Sequence, residues 1–208
     1  MYDLPDQVLV WKKFKSGDEG AFSALYRHHY ASLYFYALKS TGSAPQAQES
    51  VQDLFVTLWN RRERLGDVQQ VKPYLFKALR SILRRLPTRH NDPLSDASEA
   101  GRAMSFSPED FLIKQEDDAY RQDTLARLLN GLPPRQREAV YLKYYEDLSY
   151  QQIAEVLHIN YQSVVNLVYQ AFKELKKQPV LQKLVETRRS TVAAARSHFS
   201  LHPPDQNH

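Results

Sequence analysis

Leu132–Lys177, LPPRQREAVYLKYYEDLSYQQIAEVLHINYQSVVNLVYQAFKELKK, decides the fold. Its second half divides into two helices, Tyr150–Leu157 and Tyr161–Lys177, around the tight link His158-Ile159-Asn160. Ser149 with Gln152 three residues on has the spacing of a capping box. Asn160 can cap the second helix through its side-chain oxygen. Ile153, Ala154 and Leu157 share one face, and Val164, Leu167, Val168, Ala171 and Leu175 carry on a stripe of helical period. Two helices joined by so short a turn make a helix-turn-helix, whose second helix can lie in a DNA major groove. The polar face of that helix offers Tyr161, Gln162, Ser163, Asn166, Tyr169, Gln170 and Lys173. A packed helical hairpin without nucleic acid is the alternative that this stretch alone leaves open.

Upstream of it, Arg135 and Arg137 stand at the start of the helix RQREAVYLKYYED, which Pro134 can open after the break Gly131-Leu132-Pro133. Glu109–Asn130 is expected as one helix, with Phe111, Leu112, Leu125, Leu128 and Leu129 among its apolar residues. Before that, Leu86–Pro108 is rich in Ser, Pro, Asp and Ala and has no periodicity. It is too long for an ordinary loop within one domain. Fully extended, about 22 residues reach roughly 75 Å, about two turns of DNA at ~34–36 Å each.

The N-terminal part is helical by its spacing. Gln7–Lys15 places Val8, Trp11 and Phe14 inward. Asp18 caps a long helix with a stripe of Phe22, Leu25, Tyr26, Tyr30, Leu33 and Tyr36 or Ala37, and Gly42 suits its left-handed C-terminal position. Ser43 caps AQESVQDLFVTLWNRRERL, which buries Val51, Leu54, Phe55 and Leu58 and carries Glu49, Gln52 and Asp53 early, Arg61, Arg62 and Arg64 late, as the helix dipole favours. Pro73 opens PYLFKALRSILRRL, with Leu75, Leu79, Ile82 and Leu83 against Lys77, Arg80, Arg84 and Arg85.

The 208 residues, 42% of them hydrophobic, suffice for one sizeable core or two small ones. Six glycines and few strict alternations favour helix over sheet. The formal net charge of +4 permits attraction to phosphate without demanding it. With no cysteine, disulfides, thiolate metal sites and a cysteine nucleophile are excluded. The start MYDLPDQVLVWKKFK lacks a long apolar run behind a basic start, so no secretory signal is expected there. No window approaches the ~18 apolar residues of a membrane span. A cytoplasmic protein with no lipid partner is the expectation.

These segments, in this order, resemble a bacterial RNA polymerase sigma factor of the extracytoplasmic-function (ECF) subfamily of the sigma-70 family. FKSGDEGAFSALYRHHY looks like the start of region two, and AQESVQDLFVTLWNRRERL like the helix that docks on the polymerase clamp. VKPYLFKALRSILRR is similar to the helix that reads and melts the minus-ten element. LPPRQREAVYLKYYEDLSYQQIAEVLHINYQSV is similar to region four, which reads the minus-thirty-five element. The resemblance implies an all-α chain of two small helical domains. Region two would span 1–86, a flexible linker 87–108, region four 109–178 and a tail of unassigned role 179–208.

It further implies core RNA polymerase and promoter DNA as partners, no cofactor, no metal and no catalytic chemistry. Many relatives are held by a membrane-bound anti-sigma factor, so such a partner is also implied. Polymerase contacts are expected from Glu49, Gln52, Asp53, Phe55 and Trp59. DNA contacts are expected from Lys72, Tyr74, Lys77, Arg80, Arg84 and Arg85, and from Arg135, Arg137, Tyr161, Gln162, Ser163, Asn166, Tyr169, Gln170 and Lys173. Tyr74 stands between stacking on an unpaired base and core packing; Phe76 belongs in the core.

Val165, Leu167 and Gln170 stand where the family commonly has Lys or Arg. Reading is then left to Gln162, Ser163, Asn166 and Gln170, and because Asn and Gln pair well with adenine an adenine-rich minus-thirty-five element is expected. A weak or dispensable region-four contact is the competing reading. Two other functions compete. A stand-alone helix-turn-helix regulator leaves Gln7–Leu86 unassigned. A metal-dependent hydrolase using His28, His29 and nearby carboxylates suffers from adjacent helical residues pointing about 100° apart, a poor chelating pair, and both histidines are expected at the surface or lining a groove. His198, His202 and His208 amount at most to a weak metal-binding tail.

Overall fold

The computed structural model describes residues 6–86, 104–110 and 118–179. The tail histidines, most of the linker, and Phe111 and Leu112 of the expected helix Glu109–Asn130 lie outside the described residues. The described residues form eight α-helices and no strand. An N-terminal bundle holds α1 (Gln7–Lys15), α2 (Glu19–Thr41), α3 (Ala44–Arg61) and α4 (Val71–Arg85). A C-terminal bundle holds α5 (Asp118–Asn130), α6 (Pro134–Tyr144), α7 (Tyr150–Leu157) and α8 (Tyr161–Lys176).

The ends of these helices follow from short polar residues. Asp6 and Asp18 accept from the backbone N–H groups of Leu9 at 3.0 Å and Ala21 at 2.8 Å. Gly42 is left-handed, with φ of 64°, and donates to the Leu38 carbonyl. Ser43 holds the cap position of α3 without a side-chain bond to the helix. α4 starts at Val71, two residues before Pro73, because Val71 is a buried apolar anchor and a proline in the first turn displaces no helical hydrogen bond. Short 3₁₀ turns follow α3 at Arg62–Arg64 and stand at Pro108–Asp110. In the helix-turn-helix both halves of the Ser149–Gln152 box are made, at 2.6 and 3.2 Å. Asn160 accepts from the Ser163 N–H at 2.7 Å. The turn itself needs a left-handed residue, and His158 supplies it with φ of 55°.

Aromatic packing fills the N-terminal core. Trp11, fully buried, meets Phe14 and Tyr74 edge-on at 5.2 and 5.1 Å and donates its indole N–H to the Gly66 carbonyl at 3.2 Å. His29 corrects the sequence reading. It is 2% exposed, buried on the same face of α2 as Leu25, Leu33 and Tyr36. The i, i+4 steps from Leu25 to His29 to Leu33 place it on the inward stripe.

Whether the two bundles touch was open from sequence; here they pack together. α4 lies against α7, the first helix of the helix-turn-helix. The described end of the expected linker joins this packing, with Met104 and Phe106 both buried. The Ser105 N–H donates to the Lys39 carbonyl at 3.0 Å, and Lys39 pairs with Asp110 at 2.5 Å. On the other side, Phe106 exchanges backbone hydrogen bonds with the Asn130 side chain at 2.9 and 2.8 Å. Two apolar residues in a polar stretch thereby become a strap across both bundles.

Candidate polymerase and nucleic-acid interfaces

Three surfaces carry the residues singled out by sequence. On α3, Glu49, Gln52 and Asp53 are exposed on one face. Phe55 and Trp59 are not on it. Phe55 is buried against Phe22 and Tyr26, with ring centroids 6.0 and 4.9 Å away. Trp59 is half-buried against Phe22, and the Arg62 guanidinium lies 4.5 Å above its ring. Both set the position of the helix from within. The sequence reading missed Val56, which is 58% exposed and continues the outward face one turn beyond Gln52 and Asp53. Its signal was the i+4 step from Gln52.

On α4 the basic residues divide. Arg84 and Arg85 are exposed and Lys77 half-buried. Arg80 turns inward and is 6% exposed. Its guanidinium grips Glu138 of α6 with Nε on Oε1 at 2.8 Å and Nη2 on Oε2 at 3.2 Å. The Tyr36 hydroxyl donates to the same Oε1 at 2.6 Å. Burial, and then the Glu138 charge, push the Tyr36 pKa well above its ordinary value. For Arg80, burial opposes the charge, but the hydrogen bond and charge of Glu138 prevail and raise its pKa. Lys72 reaches the other bundle too, pairing with the Glu146 carboxylate at 3.0 Å and donating to the Glu146 carbonyl at 2.6 Å. Tyr141 completes the Glu146 site with a 3.0 Å hydrogen bond. Tyr74 is half-buried on Trp11, so one face of its ring is already packed, and Phe76 is fully buried.

On α8, Tyr161, Gln162, Asn166, Tyr169, Gln170 and Lys173 are exposed, and Gln162 donates to Asn166 at 3.3 Å. Ser163 and Val165 are half-buried. Leu167 is half-buried against the core and so extends the packing stripe. Arg135 is exposed at the start of α6. Arg137, expected on DNA, is turned inward instead. Its guanidinium donates to the Leu132 carbonyl at 2.8 Å and to the carbonyls of Met104 and Asn130. The carbonyls left unpaired where α5 ends attract it more strongly than solvent does.

Between α4 and the end of α7 runs a cleft lined by Lys77, Arg80, Arg84 and Arg85 together with His158. Burial, and then Lys77, Arg80 and Arg84, lower the His158 pKa, which marks the cleft as electropositive. Among the described residues no group of three His, Asp or Glu side chains could hold a metal ion.

The family model of sigma-70 region 2 matches residues 25–93, and that of sigma-70 region 4 matches 122–175. The chain is 29% identical over 168 residues to the ECF RNA polymerase sigma factor SigL of Mycobacterium tuberculosis strain H37Rv, covering 79% of this chain and 91% of that protein. It is 26% identical over 196 residues to the ECF RNA polymerase sigma-E factor of Escherichia coli K12, covering 86% and 98%. In fold it is similar to CnrH in its complex with the cytosolic domain of CnrY, with a TM-score of 0.59, 18% identity and 83% and 96% coverage. The sigma factor RpoE in complex with the anti-sigma factor NepR from Bartonella quintana gives a TM-score of 0.51 at 17% identity, covering 75% and 94%. The N-terminal bundle, which a stand-alone regulator would leave unassigned, thus has its own place in the same family as the helix-turn-helix, and the regulator reading falls. The chain belongs to the extracytoplasmic-function group of the sigma-70 family and is a factor that joins core RNA polymerase and directs promoter-specific initiation.

Proposed function

We propose a division of labour along the chain, with 1–86 as region two, 87–108 as linker, 109–178 as region four and 179–208 as a tail. The observation that carries it is the outward face of α3, where Glu49, Gln52 and Asp53 stand with the exposed Val56. That face combines hydrogen-bonding and anionic groups with an exposed apolar residue one turn on, the chemistry that receives an arginine-bearing partner helix. Phe55 and Trp59 support this docking by fixing the helix from inside. Charge reversal by Glu49→Lys with Asp53→Lys is expected to weaken binding to core polymerase at least tenfold, or about 1.4 kcal/mol. Stability should change by less than about 0.5 kcal/mol, since both positions are exposed. A fluorescence titration of the full chain against core enzyme, with a urea melt beside it, measures both. Undiminished binding would remove α3 from the interface.

DNA contacts fall to two helices. Lys77, Arg84 and Arg85, with Lys72 and Arg80 once they are released, give α4 a basic side for the phosphates of the minus-ten element. Gln162, Ser163, Asn166 and Gln170 of α8 read bases in the minus-thirty-five element, with Arg135 and Lys173 on phosphates and Tyr161 and Tyr169 flanking. Asn and Gln make bidentate contacts to adenine, each worth roughly 1–3 kcal/mol of discrimination. Promoters selected from random DNA by the reconstituted holoenzyme should therefore carry an adenine-rich minus-thirty-five element, and Asn166→Ala should relax it at one position. A purely G·C consensus there would defeat this reading.

The factor acts in the cytoplasm without catalytic chemistry or cofactor. An anti-sigma factor is a further partner, supported by the likeness in fold to sigma factors solved with such proteins.

A further inference from the structure

α8 turns two parallel rows of side chains outward. Gln162, Asn166 and Gln170 follow one another turn by turn, and Tyr161, Val165 and Tyr169 do the same about 100° around the helix. The first row is polar and the second largely apolar. Tyr161 and Tyr169 are 50% and 62% exposed. Val165, one turn from each, is half-buried and lies off the buried stripe of Val164, Val168, Ala171 and Leu175. Leu167 packs against the core and so serves the fold. The row of Val165 stands on the outward side, next to the polar row.

Neighbouring helices fix the head of this row. Tyr161 is the first residue of α8 and Tyr150 the first of α7, and their rings meet edge-on at 6.1 Å. Lys143 of α6 steadies Tyr150, with its ammonium 5.4 Å from the ring centre and donating to the Leu148 carbonyl at 3.2 Å. In a helix-turn-helix the N-terminal residues of the second helix meet base edges. The Val165 side chain has no hydrogen-bonding atom, so it can neither hold a phosphate nor pair with a base edge. The apolar group that the major groove displays is the C5 methyl of thymine. Residues four apart rise about 6 Å along a helix, close to two base-pair steps of ~3.4 Å. Tyr161 and Val165 can therefore meet methyls two pairs apart while Gln162 and Asn166 meet adenines.

We propose that Tyr161 and Val165 are specificity-determining residues that read thymine methyl groups in the minus-thirty-five element, with Tyr150 as a positioning residue for the Tyr161 ring. The inference rests on the assignment of α8 to that element, and its test keeps that assignment separable. Val165 stands where the family commonly has Lys or Arg. On this reading it exchanges hydrogen bonding to guanine for apolar contact with thymine, so the two rows of α8 select the same A·T pairs from their two strands.

Uracil in place of thymine removes the methyl and keeps every hydrogen-bonding group of the pair, so this probe alters the DNA and leaves the protein intact. Holoenzyme is titrated with its selected promoter duplex carrying uracil at each thymine of the minus-thirty-five element in turn. Binding should weaken about fourfold at two positions, the worth of one buried methyl at each. Tyr161→Ala should abolish the uracil effect at one of them and Val165→Ala at the other. Tyr150→Leu should diminish it at the Tyr161 position alone, and Tyr150→Phe, which keeps the ring, should preserve it. Uracil tolerated at every position, while Asn166→Ala still relaxes the adenine preference, would overturn methyl reading and leave α8 on the element. Indifference to both uracil and Asn166→Ala, or a purely G·C consensus, would overturn it by removing the assignment of α8 itself. Alanine variants that lose affinity for core polymerase without DNA, with the uracil effect unchanged, would overturn it as well and make the row a protein-docking surface.

Discussion

Replacing Arg137 by alanine is expected to destabilise the C-terminal bundle by about 3 kcal/mol while leaving the salt dependence of DNA binding nearly unchanged. The guanidinium donates to carbonyls of Met104, Asn130 and Leu132, which belong to the strap, the end of α5 and the turn before α6. Hydrogen bonds from a charged donor contribute roughly 1.5–3 kcal/mol each. Water entering the vacated space recovers part of the loss, so the total is well below three full bonds. Burial lowers the Arg137 pKa from its ordinary value, and a guanidinium nonetheless keeps its proton near neutral pH. Arg135, two residues earlier and exposed, provides the contrast. Arg135→Ala should leave stability within about 0.5 kcal/mol and reduce the salt slope of duplex binding by about 0.9, the contribution of one phosphate contact. Urea unfolding and binding measured at several salt concentrations separate the two arginines. A stable Arg137→Ala protein with a reduced slope would return Arg137 to the DNA.

The contrast between these arginines shows what the sequence reveals and what it conceals. Helix positions were legible because they depend on neighbours in the chain. The Ser149–Gln152 box, the Asn160 cap, Gly42 and the period of Val164, Val168, Ala171 and Leu175 are all local. The order of segments was legible too, since it needs only composition and spacing. Orientation about a helix axis is harder wherever a polar residue finds a partner far along the chain. Arg80 and Glu138 are 58 positions apart, and Tyr36 and Glu138 are 102 apart. Arg80 lies on the inward stripe between Phe76 and Leu83, but its charge reads as a surface residue until the distant Glu138 is known, while Arg84 remains exposed. Met104 and Phe106 were concealed for a related reason. Two apolar residues among serines carry no periodicity, and their burial appears only when both bundles are present.

His29 was concealed by its chemistry, since a histidine suits a surface as well as a core, and its burial is expected to make the protein sensitive to acid. The imidazole sits on the inward face of α2 with Nε2 lacking a hydrogen-bond partner. Burial first, then the neighbouring His28 and Lys72, lower its pKa from 6.5 to about 3. The His28 ring meets it edge-on at 4.7 Å, and Lys72 of α4 contributes its charge from the packed helix. In the unfolded chain His29 takes up a proton below pH 6.5; in the folded chain it does not do so until near pH 3. Between those values the unfolded state binds more protons, so stability falls as pH falls. From pH 7 to pH 5 this one residue should cost about 2 kcal/mol. His29→Leu removes the titrating group while keeping an apolar side chain at the site. Its stability relative to the unaltered protein should therefore improve by about that amount on going from pH 7 to pH 5. Urea unfolding of both proteins across this range measures the difference. Curves that stay parallel would mean that His29 takes up its proton inside the fold, through rearrangement of α2 against α4, and that the acid response of the protein lies elsewhere.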